Sequence, residues 1–212
     1  MNLFFRIVGA DGFGWMKQIL AGGKPVPLMK PNYQLTSIPN ALIPLLASIL
    51  NVSGQRHLGN MLSSARRQTG DGLMNLLGDR LRYEASFISA FDAGHYDALL
   101  CPASPVPAVR HGDVGKLADF FGSALLFNTL GLPAGVVPIT CVRPDEEGGW
   151  LGGKDKAEQT ADELMQGSSG LPLAVQVAAC HWREDIVLAI MAVLEKRFKS
   201  KPDYPLKNPI IL

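Results

Sequence analysis

The stretch from Leu126 to Thr140 reads L-F-N-T-L-G-L-P-A-G-V-V-P-I-T and holds three local signals in fifteen residues. An apolar helix reaches Asn128, a rigid Gly/Pro turn follows, and Gly135–Thr140 continues as a buried strand. Pro138 has no N–H to give to a ladder, so this strand is expected at a sheet edge or at a bulge. A second block, G-L-P-L-A-V-Q from Gly170 to Gln176, has the same turn-then-strand character. Its near-continuous apolar run, Leu171–Ala178, suits a strand buried on both faces. Helices alternating with such strands predict an α/β fold.

Upstream, Leu117, Phe120, Phe121, Ala124, Leu125 and Asn128 recur at spacings of three and four. They predict a helix that opens at Asp113 or Gly115 and buries that stripe. Asn128 then falls on the buried side, where its amide is expected to hydrogen-bond and lock the Gly/Pro turn. Ala98–Cys101 reads as a short strand stopped by Pro102, with a Pro-rich loop to Pro107. Asp71 is the expected N-cap of a long helix from Gly72 to about Asp92, ended by Gly94 and His95. Gly14–Leu20 is a short helix ended by Ala21-Gly22-Gly23, and Pro25–Tyr33 reads as a connector.

Downstream, residues 143–166 read as a polar surface insertion with a helix from about Asp155 to Met165. Arg183–Phe198 is amphipathic: Ile186, Val187, Ile190, Met191, Leu194 and Phe198 face inward, and Glu184 and Asp185 suit the positive end of the helix dipole. Three short strands make only a small sheet. With an apolar start at Met1–Val8, this leads us to expect that residues 1–212 are the C-terminal part of one larger domain.

Composition narrows the function classes. The chain is 47% hydrophobic, which implies apolar surface destined for a partner, a membrane or a missing portion. Twenty basic and nineteen acidic residues give a formal charge of +1, and no basic-aromatic motif is present, so nucleic acid is not an expected partner. Cys101, Cys141 and Cys180 form no C-x-x-C and lie in or beside apolar runs, which suits reduced thiols inside the cell. No signal peptide opens the chain, so secretion is not expected. No cofactor or metal is expected either, since there is no dinucleotide or phosphate-binding loop and His57, His95, His111 and His181 lack ligand spacing.

Residues 38–67 leave two readings open. Ile38–Leu50 is apolar but broken by Pro39, Asn40 and Pro44, too short to span a bilayer. Arg56, His57, Arg66 and Arg67 follow, with Leu58, Met61 and Leu62 on one face. One reading is a helix pair covering the core; the other is an apolar pair with a basic edge lying in a membrane interface. As for a nucleophile, Gly167-Ser168-Ser169-Gly170 is the most tempting loop. It does not match G-x-S-x-G and runs straight into a strand, so a plain loop accounts for it.

Asn128–Thr140, Gly170–Val177 and W-R-E-D-I-V-L at Trp182–Leu188, with Tyr96-Asp97 through Pro102 before them, resemble the C-terminal end of the amidase signature family, and within it the members that hydrolyse fatty acid amides. The similarity runs from about Leu81 to Phe198; it is looser before Leu81 and divergent over 143–166. The resemblance implies a mixed central sheet covered by helices. It also implies, for the complete enzyme, hydrolysis of lipid-like amides through an acyl-serine intermediate, using a Ser-Ser-Lys triad in which burial lowers the lysine pKa. The Gly/Ser-rich signature carrying that triad does not occur in these residues, so no catalytic residue is expected and the chain should be inactive alone.

Matching outward from Asn128, the resemblance places acyl-pocket positions at Ala118, Phe121 and Leu125, and a looser match adds Met61. It places membrane-cap helices at about 38–62. The implied partners are a lipid-like amide, a membrane surface or a second copy of the chain, and the implied location is cytoplasmic or peripheral to a membrane. The competing expectation is a non-catalytic protein, derived from an amidase, that binds apolar ligands, a membrane or a partner.

Overall fold

The computed structural model describes residues 2–26, 30–35, 37–53, 59, 62–64, 66–113, 116, 122–149 and 156–205. These residues form two compact units, Met1–Ser89 and Ala90–Leu212. The first holds α1 (Asn2–Val8), α2 (Gly14–Leu20), α3 (Lys30–Leu35), α4 (Ile43–Val52) and most of α5 (Gly70–Ala93). The short helix α2 ends as its glycine-rich tail predicts, with Ala21 in the left-handed region at φ 46° and its N–H on the Lys17 and Gln18 carbonyls. The expected connector at Pro25–Tyr33 is not wholly irregular, because α3 begins inside it.

The long helix α5, expected from Gly72, starts two residues earlier, at Gly70. Thr69, not Asp71, caps it: the Thr69 hydroxyl accepts the Gly72 N–H at 3.1 Å, satisfying one of the orphan donors of the first turn. Asp71 sits within that turn, where its charge still suits the dipole. At the other end the Tyr96 N–H reaches back to the Phe91 carbonyl at 3.3 Å and the His95 N–H to that of Asp92 at 3.0 Å. His95 takes φ 52° to allow this, and the Phe91 and Tyr96 rings meet edge-on at 6.0 Å. Paired backbone bonds with an apolar contact across them are a Schellman closure.

The second unit carries the sheet. β1 (Leu99–Pro102), β2 (Ala134–Cys141) and β3 (Pro172–Ala178) lie in the order β1-β3-β2, and β3 pairs antiparallel with both neighbours. The expected α/β class is observed. β3 is the middle strand of the three, and the successive residues Val177 and Ala178 are buried, as its apolar run implies. β2 is an outer strand whose register slips between Pro138 and Thr140, so both consequences of a strand proline occur together.

Helix α8 (Glu184–Phe198) packs on the sheet face bearing Val177, with Val187 and Ala179 at the centre and Ile186, Ile190, Met191 and Leu194 around them. The close approach explains Gly135. A Cβ there would meet the Met191 sulfur and lie 3.3 Å from Val187 Cγ1. The segment expected as a surface insertion is better anchored than its polar composition suggests. Its helix α7 (Lys156–Met165) buries Ala161 and Met165 against Val106 and Val109 of the Pro-rich loop. Arg110 Nη2 then donates to the Gln166 carbonyl at 3.2 Å beyond the helix end.

Two outcomes follow from this packing. Gly135→Ala should destabilise the fold by about 1–3 kcal/mol through overpacking, and Met191→Ala should relieve part of that loss, as read by urea denaturation of both single variants and the double. The Thr140 hydroxyl donates to Asp203 Oδ2 at 2.7 Å, and this bond, more than any other influence, holds the Asp203 carboxyl below the usual range. A depressed folded pKa contributes stability above the unfolded value of about 3.9, and that contribution is lost as pH falls through the folded value. Thr140→Val should therefore raise the Asp203 pKa toward the ordinary carboxylate range, measured by carboxyl NMR titration.

Candidate functional site

Helix α6 (Gly122–Leu130) leads into the turn on which the sequence reading rests. Its last turn closes as α5 does. The Leu132 N–H bonds the Phe127 carbonyl at 3.1 Å, Gly131 supplies φ 70°, and Phe127 and Leu132 are both buried. Gly131 is needed because a left-handed residue follows the helix cap and glycine meets no Cβ penalty there. One turn earlier the Thr129 hydroxyl donates to the Leu125 carbonyl at 2.6 Å.

The expected role of Asn128 is corrected by this arrangement. Asn128 is exposed, while Phe127, Thr129 and Leu130 are buried. The closure draws Phe127 and Leu132 inward together, so the buried residues of the last turn are Phe127, Thr129 and Leu130 and not Asn128. The polar lock is His181, in the loop after β3, whose Nε2 lies 3.2 Å from the Leu130 carbonyl oxygen. A carbonyl only accepts, so that contact requires the proton on Nε2. Periodicity gives no signal for this pairing, since the partners are 51 positions apart.

Leu125 is half-buried on α6. Ala118, Phe121 and Met61, the other expected pocket positions, lie outside the described residues. The Gly167–Gly170 segment behaves as a turn into β3, with both glycines at positive φ. Ser168 is 2% exposed, and its hydroxyl has no hydrogen-bond partner among the described residues, so no base is in place to activate it. The Ser169 N–H is held by Glu147 Oε1 at 2.6 Å.

The first unit offers a different surface. On α4, Ile43 and Ala47 are buried, yet Leu45, Ile49 and Val52 on other sides are 60%, 55% and 88% exposed. Asn40, just before it, grips the backbone of Arg67 in both directions, accepting its N–H at 3.1 Å and donating to its carbonyl at 3.0 Å. Arg67, Trp15, Asp11 and Leu73 line a cleft of about 580 Å³. Among the described residues no helix is long and apolar enough to cross a membrane, and no group of acidic, His or Cys side chains is arranged for a metal ion.

Comparison with known proteins agrees with the ordered blocks. The family model described as Amidase matches residues 30–188, well over half of the chain, and the chain belongs to the amidase family. Fatty acid amide hydrolase 1 of Caenorhabditis elegans is 30% identical over 198 residues, covering 92% of this chain and 34% of that protein. Fatty-acid amide hydrolase 1 of Sus scrofa is 33% identical over 165 residues, covering 75% and 28% respectively. The chain thus spans about a third of the length of these relatives.

The environment of Ser168 makes a sharp expectation. Ser168→Ala removes a buried hydroxyl with no hydrogen-bond partner among the described residues, so thermal or urea unfolding should show stability unchanged or raised by up to about 1 kcal/mol. A loss above about 2 kcal/mol would mean that the hydroxyl has a partner after all.

Proposed function

We propose that this chain is the C-terminal portion of a serine amidase acting on lipid-like amides, supplying sheet scaffold and acyl-pocket wall without the Ser-Ser-Lys triad. The observation that carries the reading is the family match across residues 30–188, which includes the α6–turn–β2 unit. Both relatives are fatty acid amide hydrolases by name, which supports a lipid-like substrate. In the complete enzyme a serine would attack the amide carbonyl, form an acyl-serine and release the amine, and water would then regenerate the serine. The part proposed for this chain is to hold the apolar chain on the helix that carries Leu125, the family resemblance adding Ala118 and Phe121, while the chemistry happens elsewhere.

The exposed apolar side of α4, close in the chain to Arg66 and Arg67, supports a membrane-interface role for residues 38–67 and a location peripheral to an intracellular membrane. The same surface favours the second reading, a non-catalytic protein that binds apolar ligands or membranes. Grafting this chain onto the preceding portion of the Caenorhabditis elegans relative separates the two. The first reading expects a chimera that hydrolyses a fatty amide and labels with a fluorophosphonate, while this chain alone does neither. Strong labelling of the isolated chain, or a well-folded chimera with no turnover, would count against it.

A further inference from the structure

The carbonyls in the last turn of a helix have no partners within it, and each needs one from elsewhere. In α6 the Phe127 carbonyl takes the Leu132 N–H. Leu130 is fully buried at 0% exposure, so water does not reach its carbonyl and a protein donor must. His181 supplies that donor through Nε2.

The imidazole is delivered by a loop with little freedom. Just before it, the Ala179 N–H is bonded to the Pro133 carbonyl at 3.2 Å, stitching the end of β3 to the turn after α6. Just after it, the Arg183 N–H closes on the Cys180 carbonyl at 3.2 Å, with Trp182 forced to φ 63° between them. The Arg183 guanidinium is in turn held by both oxygens of Asp185, at 3.0 and 3.2 Å. The β3–α8 loop therefore presents His181 to the end of the helix that bears Leu125.

We infer that His181 is a positioning residue for acyl-chain binding: by bonding the Leu130 carbonyl it fixes where α6 ends, and so sets the face that carries Leu125, without touching substrate itself. This rests on the reading of α6 as pocket wall. Loss of the bond leaves a buried carbonyl unmet and lets the helix end shift, which should weaken binding of an apolar chain by about three- to tenfold.

The test uses the chain as it stands, with dansyl-undecanoic acid as fluorescent probe and four proteins: wild type, Leu125→Ala, His181→Ala and His181→Gln. Weaker binding in Leu125→Ala and His181→Ala, with recovery in His181→Gln, which keeps an N–H donor, supports the inference. If wild type does not bind the probe, or Leu125→Ala binds it equally well, the pocket reading falls and the inference with it. If Leu125→Ala weakens binding but His181→Ala does not, the inference alone falls. Imidazole ¹⁵N NMR of the wild type provides an arm independent of folding in the variants. Protonation of Nε2 with slowed exchange supports the bond, and a ring protonated only on Nδ1 overturns it.

Discussion

The end of α6 governs this half of the molecule because a helix cannot satisfy its own last carbonyls. Here two of them are met by different means: a backbone N–H beyond a glycine, and an imidazole from the loop after β3. Each solution fixes something further. The glycine closure turns the chain directly into β2, and the imidazole ties the turn to the central strand. The first neighbours of the sheet and one face of a candidate pocket are thus set by a handful of hydrogen bonds around Gly131.

Much of this was legible in the residues. Pro138 announced an outer, irregular strand because the missing N–H has only two structural solutions, and β2 uses both. The apolar run of β3 announced burial on both faces, and the stripe of α8 announced which residues lie against it. Asn128 was misread because spacing treats a helix as continuing unchanged to its last residue, whereas a Schellman closure brings C3 and the residue after glycine inward. The cap of α5 was misplaced by a similar shortfall: Asp71 and Thr69 both suit an N-terminus, and only the Thr69 geometry decides. The polar segment containing α7 was read by composition, which hides an apolar contact as small as Ala161 and Met165 against Val106.

The candidate site was less legible than the fold. His181 acts through a contact between distant segments, and no local pattern encodes it. Ser168 looks inviting as a serine between glycines, but it is buried and its hydroxyl has no hydrogen-bond partner among the described residues. What the sequence does announce is membership: ordered blocks around two Gly-Leu-Pro turns place the chain in the amidase family, and the family match covers those blocks. Those blocks form scaffold and helix ends, while α4 in the other unit turns apolar side chains outward. A wall for an apolar chain and an apolar outer surface are distinct properties, and they call for different occupants.

Photoaffinity labelling separates them most directly. A fatty amide carrying a diazirine in its acyl chain, irradiated with the protein and mapped by peptide mass spectrometry, should label the α6 peptide that contains Leu125. Excess unlabelled fatty amide should suppress that labelling. Labelling confined to α4, with the α6 peptide untouched, would contradict the assignment of α6 as the substrate wall.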